Sequence, residues 1–433
     1  MELTGWGRYP RTESRVNFPM TVPEVCDAVK NPDKLIARGL GRSYGDSSLS
    51  DHVLETAFLN RFLSFDAQTG LLWCDAGMSL AEILDTFVPQ GWFLPVTPGT
   101  RFVTVGGAIA SDVHGKNHHL DGTFGEHVAG INIILGDGSL VHTSPTEHAD
   151  LFHATCGGMG LTGIIVAAAI RLKPIRSSNI VETTIKARDL DAVLQSFEDN
   201  RSATYSVAWI DCLAKGKDLG RSILMLGEHA STGCLEVAPN KAVPIPIDMP
   251  SCLLNSASIG LFNTLYYQRV RQSTVTRTIS YEPFFYPLDK LAHWNRLYGK
   301  AGFVQYQFVL PKQRGTAGMR TILERIAASG RGSFLAVLKA FGAQNQNLLS
   351  FPMEGYTLAL DFKAEPAVFN LLDELDKLVL DFGGRLYLTK DARMSEATFK
   401  ASFSNWEIFE EVRARYHAIG KFASKQSLRL GLQ

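Results

Sequence analysis

Two glycine-rich stretches hold the residues best suited to bind an anionic group. The first is "ARGLGRSYGDS", residues 37–47; the second, "TPGTRFVTVGGAIASDVHGKNHH", spans residues 97–119. Glycine lets the backbone approach a ligand closely, and successive amides in such turns form an anion-binding nest. In the second stretch Gly99, Gly106, Gly107 and Gly115 are interspersed with the small Ala108, Ala110 and Ser111. Each loop follows an apolar run, and the pair suits a bound diphosphate better than either does alone. Taken singly, each also reads as tight turns in an ordinary sheet.

A third stretch, "GMGLTG" at 158–163, satisfies the pattern G-x-G-x-x-G, and Glu182 follows about twenty residues later, where a dinucleotide site wants its ribose-binding acid. That fingerprint needs a strand running into the first glycine and a helix leaving the last, so that helix amides meet the pyrophosphate. The order here is reversed. "HADLFHATCGG" puts Leu151, Phe152 and Ala154 at helical spacing before it, and "IIVAAAIRL" after it is a β-branched run that reads as a buried strand. A nicotinamide site fails on this context. His114 and His118 stand four apart in "HGKNHH", but Gly115 and Asn117 spoil a helix and no carboxylate or thiolate completes a metal set. Lys390 in "LYLTKD" reads by itself as a solvated lysine at the end of a strand.

The elements that must position these residues fall into two groups. At 433 residues the chain is long for one core, and two domains are expected. Lys plus Arg and Asp plus Glu both total 43, so the broad positive field of a nucleic-acid binder is missing. The six cysteines, Cys26, Cys74, Cys156, Cys212, Cys234 and Cys252, form no C-x-x-C pair and read as packing residues of a reducing compartment. "MELTGWGRYPRTESRV" lacks the apolar core of a signal peptide, and no segment approaches the roughly 20 apolar residues that span a bilayer. A cytoplasmic protein is expected, with any membrane contact peripheral, at the inner membrane.

The first part is rich in glycine and short strands: "KLIARGLGRSYG", "LLWCDAG" and "GINIILGDGSLVHTS", the last with a hairpin signal at Asp137-Gly138. "SLAEILDTFVPQG" predicts a helix capped by Ser79, with Leu80, Ile83, Leu84 and Phe87 on one face and Pro89 and Gly91 at its end. The pattern pauses at Pro174 in "RLKPIRSSNI", which marks a boundary. Beyond it "YSVAWIDCL", "RSILMLGEH", "FVQYQFVLP", "FLAVLKAFG" and "YTLALDF" read as strands. One helix runs through Met319, Ile322, Leu323 and Ile326, another from Val368 through Leu371, Leu372, Leu375 and Val379 to Phe382. An antiparallel sheet backed by helices is the simplest packing. "EVAPNKAVPIPIDMPSCLLNSASIGLFNTLYY" reads as a long loop, and loops of that length are usually functional or mobile.

Taken together, "ARGLGRSYGD", "PGTRFVTVGGAIASDVHGKNHH", "GGMGLTGII" and "LYLTKD" resemble the flavoprotein oxidases of the vanillyl-alcohol-oxidase type, and within them the flavin subunits of decaprenylphosphoryl-β-D-ribose 2'-epimerases. The likeness runs from near Gly5 to the C-terminus. It implies an α+β fold of two domains: an FAD-binding domain at 1–176, completed by 385–433, and a substrate domain at 177–384. It places FAD on Ala37, Arg38, Gly39, Leu40, Gly41, Arg42, Ser43, Tyr44, Gly45, Asp46 and Ser47. Further FAD positions fall on Gly99, on Thr104, Val105, Gly106 and Gly107, on Ser111, Asp112, Val113 and His114, on Gly163, Ile164 and Ile165, and on Tyr387. On this reading "GMGLTG" is a turn near FAD. Many relatives tether the flavin through a histidine in the first loop, where this chain has Arg42. A guanidinium stays protonated and cannot be that nucleophile, and no cysteine lies between Cys74 and Cys156, so FAD is expected without a covalent bond.

The same likeness points Lys390 into the active site, where an ammonium steadies developing negative charge. It also brings in Tyr44, His114, Lys116, Tyr286, Gln307 and Lys339. Lys116 and Lys339 would hold the phosphate of a lipid-linked sugar, with Tyr286 and Gln307 beside them, while Tyr44 and His114 could relay the hydroxyl proton. Position 359 is alanine where actinobacterial members commonly carry cysteine, so no thiol acts there and the pocket wall differs. The reaction implied is FAD-dependent oxidation of the ribose 2'-hydroxyl of a polyprenyl-phosphoryl sugar to the 2'-keto sugar. Its lipid tail would rest on the stretch around Leu253 to Tyr267. This is half of an epimerisation to the arabinose form, and a separate NAD(P)H-dependent short-chain reductase would complete it. The rival readings are an aldonolactone or other sugar oxidase of the same fold on a soluble substrate, and a non-catalytic binder of lipid-linked sugar.

Overall fold

The computed structural model describes residues 1–237, 242–250 and 253–432. The first part is built on two larger sheets, beside two-stranded pairs. Arg15–Asn17, His52–Glu55 and Ile36–Arg38 form a small parallel sheet with His52–Glu55 in the middle, and Ile36–Arg38 runs straight into the first glycine loop. Beside it lie five antiparallel strands in the order Leu140–Thr143, Val128–Ile134, Ile164–Arg171, Leu71–Asp75 and Phe62–Asp66. The central strand is "IIVAAAIR", buried at all but its last residue, as its unbroken apolar run requires. Gly138 takes φ +83° in the hairpin between the first two of these strands. The helix Leu80–Phe87 is opened by a reciprocal cap between Ser79 and Glu82 and buries Leu80, Ile83, Leu84 and Phe87.

The second part is one antiparallel sheet of eight strands. Its order is Thr274–Ser280, Asn179–Ala187, Ser222–His229, Tyr205–Ile210, Ala336–Phe341, Gly355–Lys363, Phe303–Pro311 and Arg385–Leu386. Strand side chains alternate between faces, and here the alternation separates two jobs. Val304, Tyr306, Phe308, Ala336, Leu338 and Leu358 pack on the helices Leu190–Asp199, Lys312–Ser329 and Pro366–Asp381 in the largest buried cluster. Each such apolar side chain contributes about 1.5–3 kcal/mol. The odd-numbered neighbours face the other way, toward the first part.

Several boundaries differ in detail from the sequence-based reading. Lys173–Pro174 pairs with Trp92–Phe93, and the large sheet begins at Asn179, so the chain crosses between the two parts close to Pro174. Arg385–Leu386 still pairs with Phe303–Pro311, and Lys390 lies in the following turn rather than at a strand end: the amides of Lys390 and Asp391 both donate to the Tyr387 carbonyl. The stretch read as a long loop contains a helix, Ser256–Gln268, whose buried residues are one apolar and one polar, Ile259 and Asn263, so that it escapes a search for apolar periodicity. Residues 238–241 and 251–252 of that stretch, Cys252 included, lie outside the described residues. The other five cysteines are free thiols. No helix among the described residues is long and apolar enough to cross a membrane.

Candidate active site

A cavity of about 620 Å³ lies between the odd face of the eight-stranded sheet and the glycine loops of the first part. The sheet contributes Gln305, Gln307, Val337, Lys339, Thr357 and Ala359. These pair across adjacent strands, Gln305 with Asp361, Gln307 with Ala359 and Lys339 with Thr357, so one flat wall presents amides, a hydroxyl and an ammonium together.

Facing that wall are the residues read as cofactor-binding. Ala37, Gly39, Leu40, Gly41, Arg42, Ser43, Tyr44 and Ser47 line the cavity from the first loop; Gly99, Thr104, Gly106 and Gly107 line it from the second. Ser111, Val113, His114, Gly163, Ile165 and Tyr387 do so as well. The "GMGLTG" segment is indeed a turn between the helix Ala149–Thr155 and the strand Ile164–Arg171, with Met159 at φ +54° and Gly160 at φ +77°, and both reach the cavity. The two glycine loops touch: a Cβ on Gly39 would sit 2.3 Å from Thr104 Oγ1. At Gly99 a Cβ would meet nothing within 4 Å, because that residue faces the open cavity. Among the described residues, the amides of Leu40, Gly41, Arg42 and Ser43 donate to no protein acceptor. Four successive free amides in a turn with Gly41 at φ +62° form an anion nest, which fits the diphosphate of FAD. Arg42, at the place of the family's tethering histidine, stacks its guanidinium 4.0 Å from the Trp6 ring centroid.

Seven residues read as contacts do not line the cavity. Val105 and Ile164 are fully buried in the cores beneath the loops. Arg38 points back, donating to the Thr4 carbonyl and to Ser48 Oγ. Asp112 is buried, at φ +38°, and its carboxylate accepts from Gly125 N, Asn345, Asn347 and Ser350, which pins the second loop to the segment before Gly355. Gly45 packs so closely that a Cβ would fall 1.9 Å from the Asp391 carbonyl. Asp46 is gripped by Arg429, which also holds Asp391 at 2.9 Å, so the C-terminal segment clamps the first loop to the Lys390 turn. The Tyr44 amide donates to the Thr389 carbonyl at the same joint. Tyr286, read as a substrate contact, is 1% exposed and bonds Thr97 Oγ1 at 2.7 Å. It braces the second loop from behind.

The remaining candidates meet at one end of the cavity. Lys390 Nζ lies 3.9 Å from the Tyr44 ring centroid. Gln307 Nε2 lies 3.1 Å from His114 Nε2 and 3.2 Å from Thr357 Oγ1. Donation by that amide makes His114 Nε2 an acceptor, and burial together with the charge of Lys339 holds this imidazole neutral, its affinity for a proton well below the usual range. Burial raises the Tyr44 phenol well above its ordinary value, with Asp361 adding to the effect. Burial lowers Lys116 to about 7 and Lys339 to about 8. Lys390 is likewise brought to about 7, by burial first, with Asp361 opposing the shift and Lys339 adding to it. Three lysines thus face one cavity, and a bound anion there would favour the ammonium form of each. Lys116 donates to the Phe284 carbonyl and lies 4.3 Å from that ring's centroid. His118 accepts the Gly342 amide at Nδ1 and is held near 3, mainly by burial.

Sequence reasoning missed Gln305 and Asp361. Gln305 Nε2 donates to Asp361 Oδ1 at 2.5 Å, and burial raises that carboxyl to about 7. The signal was present: Gln305 stands two before Gln307 in one strand, hence on the same face, and Asp361 two after Ala359. Glu182, the would-be ribose acid, is instead paired with Arg277.

Residues 15–144 match a protein family described as an FAD binding domain. Over 99% of its length the chain is 38% identical to the decaprenylphosphoryl-beta-D-ribose oxidase of Mycolicibacterium smegmatis, of which it covers 97%. It is 31% identical, over 82% of its length, to the whole of a Streptomyces coelicolor protein described as uncharacterized, in the mprA 5' region. A shorter likeness, 31% identity over 31% of the chain, links it to 26% of the Delta(24)-sterol reductase of Rattus norvegicus. Matched from end to end by the first of these and built around glycine loops that fit FAD, the chain belongs to the decaprenylphosphoryl-β-D-ribose oxidase family of FAD-dependent oxidoreductases.

Proposed function

We propose that this protein oxidises the 2'-hydroxyl of a polyprenyl-phosphoryl-β-D-ribose to the 2'-keto sugar. The observation that carries the reading, beside the family, is the wall of Lys116, Lys339 and Lys390 next to the amides of Gln305 and Gln307. That wall offers cations to a phosphodiester and hydrogen-bonding groups to a sugar. Bound FAD supplies the two-electron acceptor for the hydride leaving C2'. The chain's own residues then position and neutralise. Lys390 offers an ammonium that would steady the substrate oxygen while the hydroxyl proton passes to water, and the Tyr44 ring centroid lies 3.9 Å from that ammonium. His114 and Tyr44 are both held in their neutral forms by burial, the imidazole reluctant to take a proton and the phenol reluctant to lose one, so both serve better as fixed hydrogen-bonding walls than as the proton relay. FAD is retained by the two loops and without a covalent bond, Arg42 being committed to Trp6.

The product has lost its stereocentre, and one hydride acceptor fixed on one face cannot return hydride to the other. A separate NAD(P)H-dependent short-chain reductase completes the epimerisation, and the pair works in the cytoplasm at the inner membrane. The test is anaerobic. A polyprenyl-phosphoryl-ribose should bleach the yellow protein and give the 2'-keto sugar, free aldonolactones should not, and arabinose should appear only after reductase and nicotinamide are added. Arabinose made by this chain alone would overturn the half-reaction, and bleaching by lactones alone would point to a soluble substrate.

A further inference from the structure

The helix Ser256–Gln268 buries little apolar surface of its own. On its inner side, beside Ile259, the fully buried Asn263 donates to Asp211 Oδ1 at 2.8 Å, and Thr264 Oγ1 accepts from Arg221 at 3.0 Å. Its open side carries Leu261, 61% exposed, and Leu265, 58% exposed, one turn apart, with Phe262 beside them and Leu253 just ahead. A helix surrounded by water gains nothing from this arrangement, and a contiguous exposed apolar face marks a contact site.

Charge and position indicate what covers it. From Leu253 to Ser280 the chain holds no aspartate or glutamate but three arginines, Arg269, Arg271 and Arg277. Tyr266, Arg269 and Arg277 line the cavity, so the apolar face is continuous with the cavity rim. With 13 residues the helix is too short to cross a bilayer, which takes roughly 20, and matches an element lying in the interface. We propose that this helix seats the cavity rim on an anionic lipid bilayer, with Leu253, Leu261, Phe262 and Leu265 entering the acyl boundary and Arg269 and Arg271 meeting headgroup phosphates. The inference deepens the reading of a lipid-linked substrate and rests on it for its purpose: a sugar carried on a prenyl chain then reaches the cavity without drawing its tail through water.

The experiment is flotation of the flavin-loaded full chain with phosphatidylcholine vesicles, with and without phosphatidylglycerol, and with no sugar present. The protein should float with the anionic vesicles and bind neutral ones roughly thirtyfold more weakly, the combined effect of two arginines near an anionic surface. Leu261→Asp combined with Leu265→Asp should lower binding by roughly tenfold or more, and Arg271→Gln should weaken only the anionic component. Flavin absorbance and melting curves establish that the variants are folded. As a second readout that alters no charge, tryptophan fluorescence of Leu265→Trp should shift to the blue on adding vesicles. A wild-type chain that never floats, a doubly charged variant that floats as well as wild type, or a dimer that this variant dissolves would each overturn the proposal, the last by showing that a second copy covers the face. Because the assay contains no substrate, its failure leaves the oxidation reading standing, and failure of oxidation leaves the vesicle result standing.

Discussion

Replacing Lys390 by methionine should make the protein more stable and almost inactive. The cavity lowers this ammonium from 10.5 to about 7. A difference of about 3.5, at about 1.36 kcal/mol each, sets a ceiling of about 5 kcal/mol against the charged form. Lys390 keeps part of its surface open to the cavity, where solvent screens the penalty, so about 1–3 kcal/mol should appear in practice. Methionine fills a similar volume without charge. Because the folded-state value lies below the unfolded one, the penalty is complete below pH 7, shrinks as pH rises and is gone near 10.5, where the unfolded chain also loses its proton. The assay is denaturant unfolding of flavin-free wild type and Lys390→Met between pH 6 and pH 10, the flavin being left out because a bound anion adds charge beside the lysine. The stability gap should be largest at the acid end and close toward the alkaline end. Turnover of the flavin-loaded variant should fall by about two to three orders of magnitude, the range for loss of one electrostatic stabiliser. Equal stability across that pH range, or turnover equal to the parent's, would refute the reasoning.

Other consequences follow from the same geometry. Acid precipitation should leave all flavin in the supernatant; flavin in the washed pellet would mean that a covalent link exists despite Arg42. Gly99→Val should leave the melting of flavin-free protein unchanged, since its Cβ meets only open cavity, yet lower flavin retention, which the absorbance of purified protein reports. Gln307→Leu deprives buried His114 Nε2 and Thr357 Oγ1 of their amide partner and should destabilise by about 1–3 kcal/mol in denaturant unfolding. Gly45→Ala forces a methyl against the Asp391 carbonyl and should loosen the Tyr44–Lys390 joint, seen as lost turnover with flavin still bound.

Much of the frame was legible because it rests on local patterns. The run "IIVAAAIRL", the Ser79 cap and the Asp137-Gly138 hairpin each state their structure within a few residues, and the helix-then-strand order read around "GMGLTG" is the order the fold has. What escaped was set by distant partners. Nothing local shows that Asp46 answers Arg429, or that Asp112 collects Asn345, Asn347 and Ser350, so loop residues that brace were read as residues that touch ligand. Tyr286 is a like case, buried with its hydroxyl bonded to Thr97, a partner that no local pattern shows. The helix Ser256–Gln268 was missed because Asn263 is buried beside Ile259 while Leu261 and Leu265 face out, so its apolar residues mark no single buried stripe.

The clamp of Arg429 on Asp46 and Asp391 has a bearing on biosynthesis. Residues 37–47 leave the ribosome early, yet the groups that hold them, Thr389, Asp391 and Arg429, are made much later. A chain emerging N-terminus first can form the small parallel sheet and its neighbour while translation continues. The first glycine loop, however, is held at this joint only when the helix Lys425–Arg429 docks. Cofactor capture is therefore expected only after Arg429 has been made, and a chain truncated before it should keep most of its sheets and emerge colourless.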